Sequence, residues 1–244
     1  MIGIISAMQE EIQALLNELK NVTTTEKGMR TYYSGKLFNK KVVLVFSRWG
    51  KVASAATTTQ LINDFNVEEI IFTGVAGAIN KDLNIGDVVI GKNLFQHDLN
   101  ASPFYKKFEI PILKKEFLET KNSQKIINST NLFIDSYNKY IKDSEAAVFN
   151  ITAPKIVFGD IASGDQFISS IKKIKKLNKA LPTAICVEME GAAVAQICYE
   201  YNIPFSIIRI ISDKANDNAT IDFSRFANTI ASNYALGILK NYFA

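Results

Sequence analysis

The sequence alternates short apolar runs, rich in β-branched residues, with longer stretches in which apolar residues recur at helical spacing. For example, residues 2–6 (IGIIS) are typical of a buried strand, and residues 50–65 (GKVASAATTTQLINDF) are typical of a helix packed through small side chains. This alternation predicts an α/β fold: a three-layer α/β/α domain with a central mixed, largely parallel β-sheet.

Other segments extend the same pattern. Further strands are predicted within residues 31–38, 41–47, 68–79, 86–98, 184–190 and 204–216, and residues 154–168 should supply a strand and a turn. The first two of these should form a hairpin that turns near residues 39–41. Helices are predicted at residues 8–21, 123–143, 191–202 and 222–243, and a mobile loop is predicted around residues 101–115.

The length of the chain allows one substantial core. It has 244 residues, of which 48% are hydrophobic, and it shows no internal repeat and no low-complexity linker. A chain of this size can form one large α/β domain as readily as two small ones. We expect a single domain spanning residues 1–244.

The charge pattern does not indicate a nucleic-acid-binding protein. The formal net charge is +4, and the basic runs at residues 114–117 and 172–176 are typical of solvated helix faces. No membrane partner is expected either, because no apolar run approaches the roughly 20 residues that a spanning helix needs.

The cysteines and the N-terminal residues favour the cytosol. Cys186 and Cys198, the only two cysteines, lie in apolar segments, which fits a reducing compartment better than a disulfide scaffold. Residues 1–12 lack the basic region of a signal peptide. One histidine and two apolar cysteines cannot build the usual transition-metal shells, so we predict neither a metal nor a cofactor.

Polar residues at the ends of apolar strands are the first candidates for a functional site, because ligands of α/β sheets gather at strand ends. Four places qualify: Glu10 and Glu11 after the first strand, residues 73–77 (TGVAG), Glu188 with Glu190, and Ser212 with Asp213. The glycine-rich segment lacks the Lys and Ser/Thr of a P-loop, so it indicates a tight turn, with or without a ligand nearby.

Each candidate also has a purely structural interpretation. Glu11 fits a solvated residue in the first turn of a helix, where a carboxylate complements the helix dipole. Asp213 could be the N-cap of a short helix, and Phe167 could be a core aromatic residue. His97, the only histidine, fits a loop residue held by hydrogen bonds. Carboxylates therefore remain the candidate catalysts.

Two of these carboxylates lie in an apolar run, residues 186–198 (CVEMEGAAVAQIC). Burying a carboxylate without partners costs several kcal/mol, so we expect polar groups to meet both Glu188 and Glu190. Strand alternation would place the two side chains on one face and Met189 on the other. A bend or bulge before residue 191 would be needed to re-aim one of them.

Together the motifs resemble one family. In order along the chain they are GIISAMQEEI, SRWGKVASA, TGVAGAI, GDVVI, QHDLNASPF, IASGDQFI, VEMEGAAVA and RIISDKAND. This series is similar to that of the bacterial 5'-methylthioadenosine/S-adenosylhomocysteine nucleosidases, members of the purine nucleoside phosphorylase and uridine phosphorylase superfamily. The resemblance covers nearly the whole chain, and it implies a nucleoside phosphorylase-like fold.

The resemblance also implies a reaction. The N-glycosidic bond of 5'-methylthioadenosine and S-adenosylhomocysteine, and also of 5'-deoxyadenosine, would be hydrolysed to adenine and a 5-substituted ribose. In the roles that the family assigns, Asp213 protonates N7 of the purine, Glu11 activates the water, and Glu190 accepts hydrogen bonds from the ribose hydroxyls. Aminodeoxyfutalosine is a further substrate that the sequence leaves open.

Other positions are implied to contact the substrate. Phe167 matches the ring that stacks on the base, and Ile168 matches the residue whose main chain meets the purine edge. Arg209 and Ser212 match residues that support the acid and the water. The substrate-binding set implied by the resemblance is Met8, Trp49, Val75, Ala76, Gly77, Phe167, Ile168, Met189, Glu190, Arg209 and Ser212, joined by Phe104 and Pro111 from a second subunit.

The loop that contains Phe104, Ile110 and Pro111 resembles the apolar segment that a neighbouring subunit adds to the 5' subsite, which implies a homodimer with shared sites. Two positions depart from the family pattern near that subsite: Trp49 stands where a smaller aliphatic residue is usual, and Val75 replaces a serine. The preference among 5' substituents therefore stays open, as does the effect of Asn100, which is often aspartate.

Two other functions compete with hydrolysis. A nucleoside phosphorylase would use phosphate as its nucleophile, but Glu10 and Glu11 after the first strand would repel that anion by about 1–4 kcal/mol at 4 Å. A nucleoside-binding protein without turnover is the second alternative. The intact acid, base and ribose positions argue against it.

Overall fold

The backbone follows the predicted alternation over residues 1–121, 123–215 and 219–244, which are the residues that this computed structural model describes. The strands there are β1 (Ile2–Ser6), β2 (Lys20–Lys27), β3 (Arg30–Leu37), β4 (Lys40–Phe46), β5 (Glu69–Ala78), β6 (Val88–Gln96), β7 (Leu118–Glu119), β8 (Ile156–Ser163), β9 (Ala184–Glu188) and β10 (Phe205–Asp213). The helices are α1 (Gln13–Glu18), α2 (Lys51–Phe65), α3 (Gln124–Asp135), α4 (Asp143–Val148), α5 (Ile171–Ala180), α6 (Gly191–Glu200), α7 (Ala219–Phe226) and α8 (Ser232–Phe243).

All the strands belong to one sheet, in the order β10-β6-β8-β9-β5-β1-β4-β3-β2 with β7 beside β6. The sheet is mixed, as predicted, but it has five parallel and five antiparallel pairs rather than a parallel majority. Strand β10 pairs with both β5 and β6. Because β6, β8, β9 and β5 are also joined in series, these five strands close into a ring.

Successive residues of the central strands point to opposite sides of the sheet, and each side has its own core. Ile4 packs in the cluster that includes residues of α1, α3 and α8, whereas Ile5 packs in the cluster that includes residues of α2 and α6. Ile71 and Phe72 divide in the same way. The predicted three-layer α/β/α arrangement is therefore confirmed.

The first predicted helix is shorter than its apolar periodicity indicates. Residues 8–12 form bends and turns, α1 covers only Gln13–Glu18, and β2 starts two residues later. Strand β2 was missed because its residues are mostly exposed and polar, so no alternating apolar pattern marks it.

The two long C-terminal predictions are also interrupted. The helix predicted at residues 123–143 divides into α3 and a 3₁₀ turn at Tyr137–Lys139. The closing helix contains a π-helical segment, Ala227–Ala231, between α7 and α8. Residues 101–115 contain turns and one isolated bridge between Ile110 and Lys115. None of the described helices is both long and apolar enough to cross a membrane.

The topology places the candidate residues at one edge of the sheet. Strands β1, β5 and β10 are parallel neighbours, so their carboxyl ends lie together. Strand β9 runs antiparallel to the end of β5, with Val187 opposite Gly77. The residues that follow β1, β9 and β10 are thereby directed toward the same region.

Candidate active site

A cleft opens where β1, β5 and β10 end and where β9 leads into α6. Its empty volume is about 550 Å³, part of which is open to solvent at the mouth. Its lining combines apolar side chains with a few convergent carboxyl groups, which is the usual composition of a small-molecule site.

Glu11 is buried at the base of the cleft, with 3% of its surface exposed. Its Oε2 accepts hydrogen bonds from the amides of Ala7 (2.9 Å) and Met8 (3.0 Å), and its Oε1 accepts one from the amide of Val75 (2.9 Å). Burial raises the pKa of Glu11 above its ordinary value, and the Arg209 charge and the three amides oppose this only in part. The interpretation of Glu11 as a solvated helix residue is wrong.

Gly74 leaves room for the side chains of both Glu11 and Arg209. A Cβ atom at residue 74 would lie 2.6 Å from Nη1 of Arg209 and 2.7 Å from Oε1 of Glu11. Contacts this short require one of the two charged groups to move. In the TGVAG segment, Gly74 therefore allows a carboxylate and a guanidinium to pack against the strand. It does not form part of a phosphate-binding loop.

Glu190 faces the cleft from the start of α6. It is 5% exposed, and its Oε1 accepts a hydrogen bond from the amide of Gly50 (2.8 Å), immediately before α2. The N-terminal end of that helix favours a negative charge there. Burial and the nearby Glu188 charge nevertheless hold the pKa of Glu190 above its usual range.

Glu188 has a different environment, because the chain bends at Glu190 (φ −133°, ψ −39°) where the strand gives way to the helix. Its carboxylate accepts hydrogen bonds from the hydroxyl of Ser163 and from the amides of Glu190 and Gly191. The predicted re-aiming of the two glutamates is therefore present, and polar groups meet both carboxylates as expected.

The guanidinium of Arg209 interacts electrostatically with all three buried glutamates. It is 1% exposed and lies 4.1 Å from the ring centre of Phe72. Its Nη2 is 2.5 Å from Oε2 of Glu188 and 3.9 Å from Oε2 of Glu190. Burial lowers the pKa of Arg209, but Glu188, Glu190 and Glu11 raise it, and the balance lies above the ordinary value.

Asp213 enters the cleft because of a register shift in β10. Ile211 pairs with Ala76 and Asp213 pairs with Gly77, so Ser212 is the extra residue of a bulge. The Asp213 carboxylate accepts hydrogen bonds from the Ser212 hydroxyl (2.8 Å) and the Ala215 amide (2.7 Å). Burial raises its pKa despite these bonds.

Three aromatic residues form the mouth of the cleft. The ring of Phe223 contacts Trp49 edge-on at a centroid distance of 6.0 Å and Phe167 at 5.6 Å. Trp49 is 54% exposed and Phe167 is 36% exposed. Phe167 is therefore not a core aromatic residue. A flat apolar ligand could stack against this cluster.

The structure brings together most of the predicted site residues. Those that line the cleft are Met8, Glu11, Trp49, Val75, Ala76, Gly77, Phe167, Ile168, Met189, Glu190 and Asp213. Arg209 and Ser212 lie behind the lining, where they contact Glu188 and Asp213. Phe104 and Pro111 do not line the cleft of their own chain.

Sequence reasoning missed four lining residues: Ala7, Gln166, Val187 and Phe223. Three of them adjoin predicted positions in the chain, so extending each motif by a residue would have found them. Phe223 lies on α7 and carried no local signal, because one apolar position of an amphipathic helix resembles any other.

His97 lies outside this cleft. Burial lowers the pKa of His97, and its Nε2 has no hydrogen-bond partner among the described residues. No group of three His, Cys, Asp or Glu side chains in the described part of the chain is arranged to hold a metal ion.

The chain belongs to the phosphorylase superfamily, whose family model matches residues 1–244. A curated relative, the 5'-methylthioadenosine/S-adenosylhomocysteine nucleosidase of Staphylococcus aureus (strain bovine RF122 / ET3-1), is 38% identical over 232 residues, which are 95% of this chain and 94% of the relative.

Solved structures show the same similarity. The nucleosidase of the same kind from Colwellia psychrerythraea 34H, in complex with adenine, matches with a TM-score of 0.86 and 29% identity over 99% of this chain and 93% of that one. A futalosine hydrolase of Helicobacter pylori matches with a TM-score of 0.81 and 33% identity over 99% and 96%. The family resemblance inferred from the motifs is confirmed.

Proposed function

We propose that this chain is a hydrolase that cleaves the N-glycosidic bond of 5'-methylthioadenosine and S-adenosylhomocysteine, and also of 5'-deoxyadenosine. The products are adenine and the 5-substituted ribose. The observation that carries this proposal is the convergence of Glu11, Glu190 and Asp213 on one cleft.

Departure of adenine needs a proton, because the purine is a poor leaving group. Asp213 is the proposed donor to N7. Its raised pKa allows the carboxyl group to hold a proton at a higher pH than an ordinary aspartate. The amide of Ala215 and the hydroxyl of Ser212 fix its orientation.

Bond cleavage leaves positive charge on the ribose, and a water molecule must then attack the anomeric carbon. Glu11 is the proposed base for that water, because it is fixed by three amides and its raised pKa makes it a stronger base. Glu190 would accept hydrogen bonds from the ribose hydroxyls. The carboxylates together favour a cationic transition state.

The base and the 5' substituent have separate places in this proposal. The purine would stack on Phe167, and the main chain of Ile168 would meet its edge. Met189 lines the cleft beside Glu190 and is positioned to pack against the sugar. Trp49 and Phe223 would cover the 5' group at the mouth of the cleft.

Hydrolysis is favoured over phosphorolysis by the charge of the site. The described lining of the cleft contains four carboxyl groups, from Glu11, Glu188, Glu190 and Asp213, and no lysine or arginine. The guanidinium of Arg209 behind them is paired with Glu188. A phosphate ion would therefore meet carboxyl groups and no cation among the described lining residues.

A second candidate substrate is a futalosine-type nucleoside, because the Helicobacter pylori relative is named a futalosine hydrolase. Its larger 5' group would have to pass the aromatic mouth formed by Trp49, Phe167 and Phe223. In this proposal the three aromatic residues at the mouth, and not the carboxylates, determine which of these nucleosides is preferred.

A homodimer with shared sites fits the exposure of the loop at residues 101–115. Phe104 is 88% exposed and Ile112 is 86% exposed, which is unfavourable for apolar side chains unless another surface covers them. A cytosolic location fits Cys186 and Cys198, which are buried and not joined to each other. We also propose that residues 1–244 form a single domain.

The test is adenine release by purified protein, measured with and without inorganic phosphate. We expect equal rates, and strict phosphate dependence would overturn hydrolysis in favour of a phosphorylase. A comparison of kcat/KM for methylthioadenosine, S-adenosylhomocysteine, 5'-deoxyadenosine and aminodeoxyfutalosine then assigns the substrate. Tight binding of these nucleosides without any adenine release would indicate a binding protein.

A further inference from the structure

Glu188 has no part in the reaction as proposed above, yet it is the most extensively bonded carboxylate of the site. Its two oxygens accept from the Ser163 hydroxyl, the Arg209 guanidinium and the amides of Glu190 and Gly191. It is 7% exposed. A buried carboxylate with this many donors is fixed in one position.

One set of these bonds fixes the start of α6. The first amides of a helix have no partners within the helix and need other acceptors. Glu188 accepts from the amides of Glu190 and Gly191, and the Ser163 hydroxyl accepts from the amide of Ala192 at 2.8 Å. The backbone of Glu190 is therefore held by Glu188, while its side chain remains directed to the cleft.

The bond between Glu188 and Arg209 offsets a buried positive charge. Arg209 lies 2.5 Å from Glu188 but 3.9 Å from Glu190. Its guanidinium is packed over Phe72 and has no access to water, so its field is weakly screened. The carboxylate of Glu188 offsets a positive charge that would otherwise act on Glu190 and Glu11.

The groups that face this pair come from several elements. Glu11 follows β1, Glu188 ends β9, Glu190 begins α6 and Arg209 lies in β10. His97, Cys186 and the amide of Gly50 complete the surroundings, because both side chains feel the Glu188 charge and the amide bonds Glu190. Among these groups Arg209 is the cation whose charge acts on all three glutamates, and its ion pairs are with Glu188 and Glu190.

We propose that Glu188 is a positioning residue that fixes Arg209 and the first turn of α6, and that its charge sets the pH at which Glu11 becomes an effective base. This inference rests on the proposed hydrolysis. It adds a residue of the cleft wall whose carboxylate is bonded to protein donors and which acts through Arg209.

The test is the pH profile of kcat for methylthioadenosine hydrolysis by Glu188→Gln. The substitution removes the negative charge, so Arg209 stabilises the ionised form of Glu11 more strongly. We expect the acid limb of the profile to move to lower pH. We also expect kcat at the optimum to fall by about 100-fold, since displacement of a site group by about 1 Å has that effect.

Two further variants separate this role from a loss of packing. Glu188→Asp keeps the charge and loosens the geometry, so kcat should fall while the acid limb stays closer to that of the parent. Asp160→Asn is the matched control: its carboxylate is also buried and accepts from Asn93 at 2.9 Å, but it lies three residues before Ser163 in β8, so the two side chains point to opposite faces of the strand. Its profile should equal that of the parent.

An acid limb that is identical in parent and Glu188→Gln, together with a reduced kcat, would show a structural role only and would overturn the inference. If Glu188→Gln does not fold, unchanged kcat and unchanged limb in Glu188→Asp would overturn it equally. Absence of adenine release from the parent protein would instead contradict the proposed function itself. The two failures are therefore distinguishable.

Discussion

At the scale of single residues, burial rather than residue type distinguishes the catalytic candidates. Glu10 and Glu11 are adjacent in the sequence, but only Glu11 is buried. The motif match identified Glu11, Glu190 and Asp213, and all three line one cleft. The partners of Glu188 could not be predicted, because Ser163 and Arg209 lie 25 and 21 residues away along the chain.

Asp213→Asn tests the proton donor. The amide fits the space of the carboxyl group and can still accept from the Ala215 amide, but it cannot protonate N7. We expect kcat to fall by about 10²–10⁴-fold, which is the usual contribution of general acid catalysis. Binding of adenine, followed by calorimetry, should persist. An unchanged kcat would remove Asp213 from this role.

The pH profile of kcat/KM tests both carboxyl groups. Glu11 must be ionised to act as a base, so activity is lost as the pH falls through its folded pKa, which burial places above the ordinary value. Asp213 must be protonated, so activity is lost as the pH rises through its own raised pKa. We expect a bell-shaped profile, and Asp213→Asn should lack the alkaline limb. A parent profile that is flat on both sides contradicts this assignment.

At the scale of elements, the strands were predicted well where they are buried and poorly where they are exposed. Strands β1, β5 and β10 have buried apolar β-branched sequences, whereas β2 is mostly polar and exposed. The predicted helix at residues 8–21 begins only at Gln13, and the amides of Ala7 and Met8 before it bond the Glu11 carboxylate. The bulge at Ser212 depends on pairing with β5, which local sequence does not encode.

Gly74→Ala tests whether β5 must approach the carboxylate and the guanidinium so closely. The added methyl group would displace Arg209 or Glu11, so we expect kcat to fall by about 100-fold. Gly3→Ala in β1 is the control, because its Cβ would meet the end of the Leu61 side chain at 3.2 Å and no charged group. Equal kcat in the two variants would contradict the proposed arrangement.

At the scale of the whole molecule, the sequence predicted three layers and one edge for the site, because these follow from the order of strands and helices. It did not predict the ring of five strands, which requires β10 to pair on both sides. Phe104 is not among the residues that line the cleft of its own chain. The proposed homodimer would place it at the cleft of the partner.

A complementation experiment tests the shared sites. Phe104→Asp should lower kcat/KM by about 10–200-fold, the range for lost apolar contact in a substrate pocket. When it is co-expressed with Asp213→Asn, the mixed dimer has one site with an unaltered Asp213 and an unaltered partner loop. We expect activity to return in that dimer, isolated by two different affinity tags.

The control for that experiment is Met29→Ser, which changes another exposed apolar residue, 82% exposed, outside the loop at residues 101–115. It should have parental activity. Light scattering gives the mass of each species, and a monomeric parent or a mixed dimer without activity would contradict the sharing of sites.

The closed ring of strands has a consequence for how the cleft can adapt to a nucleoside. Strand β10 pairs with β5 from Phe205 to Asp213 and with β6 at Ile208–Ile210, so a shift of β10 would break hydrogen bonds on both of its edges. Phe223 of α7 meets Trp49 and Phe167 only through ring edges. We therefore expect Asp213 to keep its place when nucleosides of different size bind, and the aromatic side chains to make the adjustment.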